Sequence, residues 1–297
     1  MTPILRRSVL GGSVALIATL RATRAGVSAP AAQLWQTWAE NDPNSRLVVD
    51  HKAWGNFLVR YVVSEPDGVN RLRYAEASPV DREALSRYLD DMAKVSVRAL
   101  NQMEQFAYWI NVYNALTVKT VLDHYPIKSI REISLGGSIV PDFLTGGSGP
   151  WRAKLMKVDG EALGLDDIEH RILRPLFSDN RIHYAVNCAS IGCPTLMPTP
   201  FTAASLQIML DHGARLYVNH PRGVRVQAGG LMVSSLYRWY QEDFGGNWKS
   251  VLGHIRRHAN PATTKMLAPF ETVSADSYDW QLNDAATYAA TAQAPER

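Results

Sequence analysis

The sequence is poor in cysteine, with only two among its 297 residues. Any disulfide or thiol chemistry therefore depends on one pair, Cys188 and Cys193. Internal repeats, coiled-coil heptads and low-complexity tracts are also absent, which argues against a repeat array or a fibrous protein. The apolar run Ser8–Leu20 is too short, and too interrupted by glycine, to span a bilayer as a helix.

The N-terminus has the composition of an export signal. Residues 1–25 contain no acidic residue, and Thr23-Arg24-Ala25 offers a cleavage site with small residues on either side. The pair Arg6-Arg7 resembles a twin-arginine signal, although Leu5 precedes it and Val9 stands where Phe is common. An ordinary secretory signal or an uncleaved signal is the alternative, and whether cleaved or uncleaved the signal extends at most to about residue 31. We therefore expect a periplasmic or secreted protein.

The charge balance gives no reason to expect a nucleic-acid partner. The whole chain carries a formal charge of +3, and loss of the four arginines of the signal lowers it to −1. A composition that is 46% apolar, with 8 Trp and 12 Tyr, indicates a well-packed globular core. After signal removal no transmembrane helix is expected. We expect residues 32–297 to form a single domain.

The periodicity predicts an α+β fold, with a helical N-terminal half packed on a mostly antiparallel sheet. Residues from Asp81 to Tyr125 have helical spacing, and Pro126 ends the second helix there. The glycine-rich segment Gly136–Gly149 is predicted to be a mobile loop, a candidate lid. The later predictions are a strand at Lys154–Val158, a hairpin at Val224–Ser234, and helices at Leu236–Phe244 and Val251–His258.

The segment from Arg181 to Leu196 contains both cysteines. Its first part, Arg181–Asn187, is apolar and predicted to be a strand that ends at Cys188, after which Gly192 and Pro194 turn the chain. The preceding segment Leu165–Pro175 is predicted to be a short helix, with Asp166 as N-cap and Glu169 at the capping-box position.

An antiparallel packing of that strand on that helix would return Cys188 to the helix N-terminus. Cys188 would then lie near Glu169 and His170, in surroundings that lower the pKa of a thiol. His183 lies five residues before Cys188, so the two would face opposite sides of a regular strand. We therefore expect His170 to be the base and His183 to be structural.

Three alternatives for these residues stay open. Cys188 and Cys193 allow a structural disulfide, as an exported protein with an even cysteine count often has. His170, His183, Cys188 and Cys193 are all zinc-ligand types, although the C-x-x-C spacing of structural zinc sites is lacking. Glu169 can serve as a capping residue with no catalytic part.

Two asparagines interrupt an otherwise apolar helix. Asn111 and Asn114 lie three residues apart and therefore share one face. Because a buried amide without a partner is costly, each is expected to bind something. One hypothesis is that they orient the catalytic histidine or donate to an oxyanion, and the other is that they hold the backbone of a loop.

Four motifs together resemble the DUF547 family, an uncharacterised family of bacteria and plants. They are Tyr108-Trp-Ile-Asn-x-Tyr-Asn-Ala-Leu116, Leu165-Asp-Asp-Ile-Glu-His-x-Ile-Leu-Arg174, His183-Tyr-Ala-Val-Asn-Cys-x-Ser-x-Gly-Cys-Pro194 and Tyr278-Asp-Trp-x-Leu-Asn283. The resemblance covers roughly residues 50–285. It implies that the Cys188 position is retained, while the Cys193 position takes Ser or Cys. This favours a reactive Cys188 and implies no established reaction.

The sequence is thus interpreted as an exported, thiol-dependent hydrolase or acyl transferase that acts on an amide or ester bond. Cys188 would be the nucleophile, His170 the base and Glu169 an orienting carboxylate, with Asn111, Asn114, His183 and Cys193 in binding roles. A thiol and a histidine on an α+β scaffold are similar to papain-like and transglutaminase-like enzymes, by analogy of architecture alone.

No cofactor or metal is expected, and the substrate would be an unidentified peptide or small molecule. The competing hypothesis is a non-catalytic binding module of the periplasm, with a structural disulfide between the two cysteines. In that case four aromatic side chains would line its groove: Trp151, Trp239, Tyr240 and Trp248.

Overall fold

The computed structural model describes residues 29–135 and 149–292, so the expected signal and nearly all of Gly136–Gly149 lie outside the described residues. The helices are α1 (Lys52–Tyr61), α2 (Pro79–Met92), α3 (Gln102–His124), α4 (Arg174–Phe177), α5 (Leu206–Val218), α6 (Leu236–Trp239), α7 (Trp248–His258), α8 (Pro261–Leu267) and α9 (Ala285–Ala292). The strands are β1 (Val62–Ser64), β2 (Asn70–Leu72), β3 (Met156–Val158), β4 (Glu161–Leu163), β5 (Val224–Gln227), β6 (Gly230–Ser234) and β7 (Ala275–Ser277). The predicted α+β class is confirmed.

The strands form three small sheets. Strands β1 and β2 pair antiparallel, as do β3 and β4, and the third sheet has the order β5-β6-β7. In that sheet β5 pairs antiparallel with β6, which confirms the predicted hairpin, and β6 pairs parallel with β7. The parallel pair matters for the site because the chain that leaves β7 at Ser277 runs directly to Tyr278.

Helix α3 is the central element of the core. It is buried on nearly all sides, as expected for a helix without a polar face. The Asn101 side chain caps its start by accepting from the Glu104 N–H at 3.0 Å. Its end at His124 agrees with the prediction, because Tyr125 precedes Pro126 and adopts an extended conformation. Among the described helices, α3 included, none has both the length and the apolar character that a membrane crossing needs.

Two hydrophobic clusters meet at the segment that precedes Cys188. Ile182 and Ala185 pack in the larger cluster, with α1–α3. Tyr184 packs in the smaller cluster, formed by α5, the β5–β6 hairpin and helices α6–α8. The residues between Arg181 and Cys188 are therefore held from both sides, which fixes the position of the thiol.

The predicted strand at Arg181–Asn187 is wrong. Residues Asn180–Tyr184 form a 3₁₀ helix, and the Asp179 side chain caps it by accepting from the Arg181 N–H at 2.9 Å. A short apolar run does not by itself distinguish a buried strand from a buried helical turn. The argument that His183 must face away from Cys188 depended on strand geometry, so it no longer holds.

Candidate functional site

A cavity of about 360 Å³ collects most of the chemistry-bearing residues that the sequence singles out. Glu169, His170, His183, Cys188 and Cys193 all contribute to its wall. Asn111 and Asn114 do not line it. The structure therefore brings the catalytic candidates together, although through a different local geometry from the predicted helix–strand pair.

The loop that carries Cys188 is closed by hydrogen bonds of the neighbouring asparagine. The Asn187 amide donates to the Pro194 carbonyl at 2.6 Å, and its side-chain oxygen accepts from the Ala189 N–H at 2.8 Å. Ala189 has φ of 59°, in the left-handed region, where a residue with a Cβ costs about 1–3 kcal/mol. A strained residue directly after the thiol is consistent with a loop whose shape serves the site.

The chain that follows β7 lies along this loop and adds a tyrosine to the site. The Gly192 N–H donates to the Asp279 carbonyl at 2.8 Å, and the Ile191 N–H donates to the Gln281 carbonyl at 2.8 Å. A Cβ at Gly192 would lie 2.7 Å from the Asp279 nitrogen, so only glycine allows this approach. The pairing places the Tyr278 hydroxyl 3.2 Å from the Cys188 Sγ.

The thiol of Cys188 is partly exposed and surrounded by hydrogen-bonding groups. Its Sγ lies 3.3 Å from the Cys193 Sγ and 3.3 Å from the Ser190 Oγ. Hydrogen bonds with Cys193, Ser190 and Tyr278 lower the pKa of Cys188, against desolvation and the nearby Glu169 carboxylate, which raise it. Thiolate is the nucleophilic form, so these contacts activate Cys188.

Glu169 and His170 lie on a π-helical segment, Asp167–Leu173. Short π-helical turns are rare and frequently mark functional sites. Glu169 is buried and accepts from the Tyr113 hydroxyl at 3.0 Å, so it is not a capping residue. Although desolvation raises the pKa of Glu169, the charges of His170 and His183 and a hydrogen bond from Tyr240 leave it lowered overall. Glu169 is therefore an ionised carboxylate in the wall of the cavity.

The predicted cap at the start of this segment is also different. Asp166 makes no capping hydrogen bond, whereas the Asp167 carboxylate accepts from the Gly164 N–H at 2.8 Å. Burial and then the charge of Glu169 raise the pKa of Asp166 to about 6. Its Oδ1 lies 3.6 Å from the Nε2 of His170. Asp166 is thus the carboxylate closest to that imidazole in the described part of the chain.

His170 is held by the side chain one turn further along. Its Nδ1 lies 3.0 Å from the Nη1 of Arg174, and since a guanidinium only donates, this nitrogen is the acceptor. The neutral ring then carries its proton on Nε2, towards Asp166. Burial lowers the pKa of His170, the Glu169 charge opposes this, and the Arg174 charge adds to it.

His183, in contrast to His170, is held by a carboxylate and not by a guanidinium. Its Nε2 lies 2.7 Å from the Asp243 Oδ2, so the ring donates to a carboxylate there. Arg174 holds the same carboxylate through two contacts, at 2.6 and 3.0 Å. Desolvation raises the pKa of Asp243, but the hydrogen bonds from His183 and Arg174 lower it overall. The Nδ1 of His183 lies 3.9 Å from the Glu169 Oε1, and it is the nitrogen left to take up a proton.

Asn111 and Asn114 hold loop backbone, the second of the two hypotheses that the sequence left open. Asn111 donates to the Phe201 carbonyl at 2.7 Å and accepts from the Phe201 N–H at 3.0 Å. Asn114 donates to the Ala185 carbonyl at 2.9 Å and accepts from the Asn187 N–H at 2.8 Å. Asn114 therefore positions the Cys188 loop from beneath without reaching the cavity.

Aromatic side chains form one wall of the cavity. Trp151, Trp239 and Tyr240 line it as the sequence suggested, whereas Trp248 does not and instead lies under the Arg238 guanidinium. Trp280 takes that place, stacked on Trp239 with ring centroids 5.6 Å apart. A cavity lined by both aromatic and charged side chains suits a ligand with both an apolar and a polar part.

The zinc alternative gains no geometric support. Within residues 29–135 and 149–292, no three His, Cys, Asp or Glu side chains converge as the ligands of a metal ion would.

Five residues of the site as described above were not identified from the sequence: Asp166 as a partner of His170, Arg174, Asp243, Tyr278 and Trp280. Tyr278 and Arg174 stand in the quoted motifs, so the motifs contained a usable signal for both. Asp243 lies 60 residues from His183 along the chain, and nothing in the sequence pairs them.

Comparison with known proteins agrees with the resemblance over part of the chain. Residues 97–218 match the family model described as "Protein of unknown function, DUF547". The matched segment runs from just before α3 to the end of α5, so it includes Glu169, His170, His183 and both cysteines. No curated protein and no solved structure matched the chain. The match supports the family for this segment and carries no reaction with it.

Proposed function

We propose that the protein is a thiol-dependent hydrolase or acyl transferase that acts on an amide or ester bond, with Cys188 as the nucleophile. The observation that carries the proposal is the shared cavity. It joins a partly exposed thiol of lowered pKa to two imidazoles and a buried carboxylate. A perturbed nucleophile and acid–base groups in one cavity are the usual components of such a site.

The contacts of the two histidines bear on which of them accepts the proton of the Cys188 thiol. The sequence favours His170, but the acceptor nitrogen of its neutral ring is engaged by Arg174. His183 is held by Asp243 at one nitrogen and has the other available, which is the arrangement of an oriented base. We therefore assign the base to His183, the orienting carboxylate to Asp243, and a supporting role to His170.

Among the described residues, neither imidazole is hydrogen-bonded to the Cys188 thiol. Catalytic hydrogen bonds are often long before substrate binds, and one water molecule can bridge such a gap. Glu169 lines the cavity beside His183, and the Tyr240 ring packs on His183 at a tilt of 32° with centroids 4.0 Å apart. They keep the base in place while a substrate enters.

The reaction then follows the general course of covalent acyl transfer. His183 takes the thiol proton, and the Cys188 sulfur bonds to the carbonyl carbon. The C–N or C–O bond breaks as the imidazolium returns the proton to the leaving amine or alcohol. The resulting acyl thioester is released by water, in a hydrolase, or by a second amine or alcohol, in a transferase.

The binding-module alternative is supported by one specific observation, the wall formed by Trp151, Trp239 and Trp280. Such a wall binds a ligand whether or not chemistry follows. The two Sγ atoms are 3.3 Å apart, longer than the about 2.05 Å of a disulfide bond, and the reactive-thiol proposal takes both cysteines as thiols. We also propose that the protein is exported and that the N-terminal segment containing Arg6 and Arg7 is its export signal, as the composition of that segment suggests.

The test is acylation of the protein by an activated aryl ester, followed by intact-mass and peptide analysis. The wild type should form an acyl adduct at Cys188, and His183→Ala should reduce the acylation rate about 100-fold, the effect of losing a general base. His170→Ala is the matched variant from the same wall and should have a much smaller effect. Melting temperatures of all variants show whether each is folded. Undiminished hydrolysis by Cys188→Ala would refute the proposal, and a greater loss in His170→Ala would return the base to His170.

A further inference from the structure

The two thiols form a closer pair than acyl transfer requires. Their Sγ atoms are 3.3 Å apart, and the Cys188 N–H donates to the Cys193 Sγ at 3.1 Å. The loop between them is fixed by a Cys193 N–H to Ser190 carbonyl bond at 3.1 Å and by the Asn187 to Pro194 contact. A disulfide needs about 2.05 Å between the sulfurs, so only a small movement separates the pair from a covalent bond.

The two cysteines differ in exposure and in pKa, as a reaction in two steps requires. Cys188 opens to the cavity, whereas Cys193 is buried, with 4% of its surface exposed. Burial and the contact with Cys188 raise the pKa of Cys193, while the pKa of Cys188 is lowered. One thiol is therefore prepared to attack an incoming molecule, and the other stays protonated within reach of the first.

Acyl transfer uses Cys193 only as a hydrogen-bond partner of the nucleophile. It also leaves the Cys188 N–H committed to the Cys193 sulfur, so this amide does not serve as a donor to an oxyanion. A pair of thiols in which one is accessible and the second is held behind it is suited to two-electron redox chemistry.

We propose that Cys188 and Cys193 also form a two-thiol site that reduces an organic hydroperoxide. The Cys188 thiolate attacks the terminal, hydrogen-bearing oxygen of the hydroperoxide, and the O–O bond breaks to leave a sulfenic acid on Cys188 and to release an alkoxide. The alkoxide takes a proton and leaves as the alcohol. The Cys193 sulfur then attacks the Cys188 sulfur, and water and the Cys188–Cys193 disulfide result. A small dithiol reductant restores both thiols by exchange.

The cavity favours an organic hydroperoxide over hydrogen peroxide. Its volume of about 360 Å³ is an order of magnitude above the roughly 30 Å³ share of one water molecule, which is comparable in size to hydrogen peroxide. Trp239 and Trp280 offer an apolar surface to an aryl or alkyl group beside the thiol. The Tyr278 hydroxyl, 3.2 Å from the Cys188 Sγ, is placed to donate a hydrogen bond to the departing oxygen.

The experiment uses the full chain, reduced and freed of reductant, with cumene hydroperoxide as the probe and hydrogen peroxide for comparison. The expected result is the consumption of one equivalent of cumene hydroperoxide and the loss of two hydrogen atoms from the intact mass. Peptide mapping should place the disulfide between Cys188 and Cys193. The rate should exceed that of free cysteine at neutral pH, about threefold for each unit by which the pKa of Cys188 is lowered until it reaches the assay pH, because the gain in thiolate outweighs the loss of nucleophilicity. Dithiothreitol should sustain turnover.

Two variants assign the steps. Cys188→Ser should consume no hydroperoxide, and Cys193→Ser should stop at a sulfenic acid that dimedone traps. The proposal is overturned if the folded wild type forms no Cys188–Cys193 disulfide, or if its rate equals that of free cysteine. Acylation of the same wild-type preparation by the activated ester is measured in a separate assay. Its failure would count against the proposed function alone, because hydroperoxide reduction needs no base at His183.

Discussion

Asp166 is predicted to destabilise the protein at neutral pH. Burial, followed by the charge of Glu169, raises its pKa from the ordinary 3.8 to about 6. The folded state therefore binds this proton more tightly than the unfolded state. The resulting stability is fully present below about pH 4 and is lost as the pH rises through about 6. Above that pH the buried carboxylate is ionised at a cost to the fold.

The cost follows from the size of the shift. A shift of about two pH units at 1.36 kcal/mol per unit corresponds to about 3 kcal/mol. The Asp166 side chain is 24% exposed and lies 3.8 Å from the Nε of Arg152, so screening reduces this figure to about 1–3 kcal/mol. Asp166→Asn retains the shape and removes the charge. Because Asp166 makes no capping hydrogen bond, the substitution loses no cap. The variant should be more stable than the wild type by this amount at pH 7.5, and no more stable at pH 4.

Urea denaturation at the two pH values measures the effect, and Asp167→Asn is the matched control. Asp167 accepts from Gly164 and pairs with Lys154 and Arg171, contacts that hold its pKa down despite desolvation. Its loss should therefore destabilise the protein at pH 7.5, by about 1–3 kcal/mol. The reasoning fails if Asp166→Asn is no more stable at pH 7.5, or if its gain is the same at both pH values. A gain at neutral pH would mean that an unfavourable carboxylate is retained beside His170, as expected of a functional position.

Other substitutions test the support of the site and the location. Asn114→Ala should lower the free energy of unfolding by about 2–4 kcal/mol, since the Ala185 carbonyl and the Asn187 N–H both lose a buried partner. An unchanged midpoint of urea denaturation would contradict this. Gly192→Ala should lower the free energy of unfolding by about 1–3 kcal/mol, because the new Cβ would displace Asp279 and with it Tyr278. The same variant should slow alkylation of Cys188 by iodoacetamide. An alkylation rate equal to that of the wild type would show that Tyr278 is dispensable. Replacement of Arg6 and Arg7 together by Lys should leave an uncleaved cytoplasmic precursor on an immunoblot, and normal processing would exclude the twin-arginine route.

Much of the architecture was determined by local features of the sequence. Helix α3 and its end before Pro126, the β5–β6 hairpin and the α+β class follow from periodicity, proline and turn residues, which act over a few positions. The choice of Cys188, His170 and Glu169 as cavity residues also came from the sequence, because polar and thiol groups next to apolar runs were recognisable.

The tertiary structure decided the contacts of those residues. The 3₁₀ helix at Asn180–Tyr184, in place of a strand, depends on the Asp179 cap and on packing between two hydrophobic clusters. The bond from His183 to Asp243 and the contact from Cys188 to Tyr278 join residues 60 and 90 positions apart. A proton acceptor is defined by which nitrogen has no donor facing it, and that is a property of the fold around the ring. The sequence therefore determined which groups are available, and only the packing of distant segments decided which carboxylate the His183 ring contacts and which hydroxyl lies against the thiol.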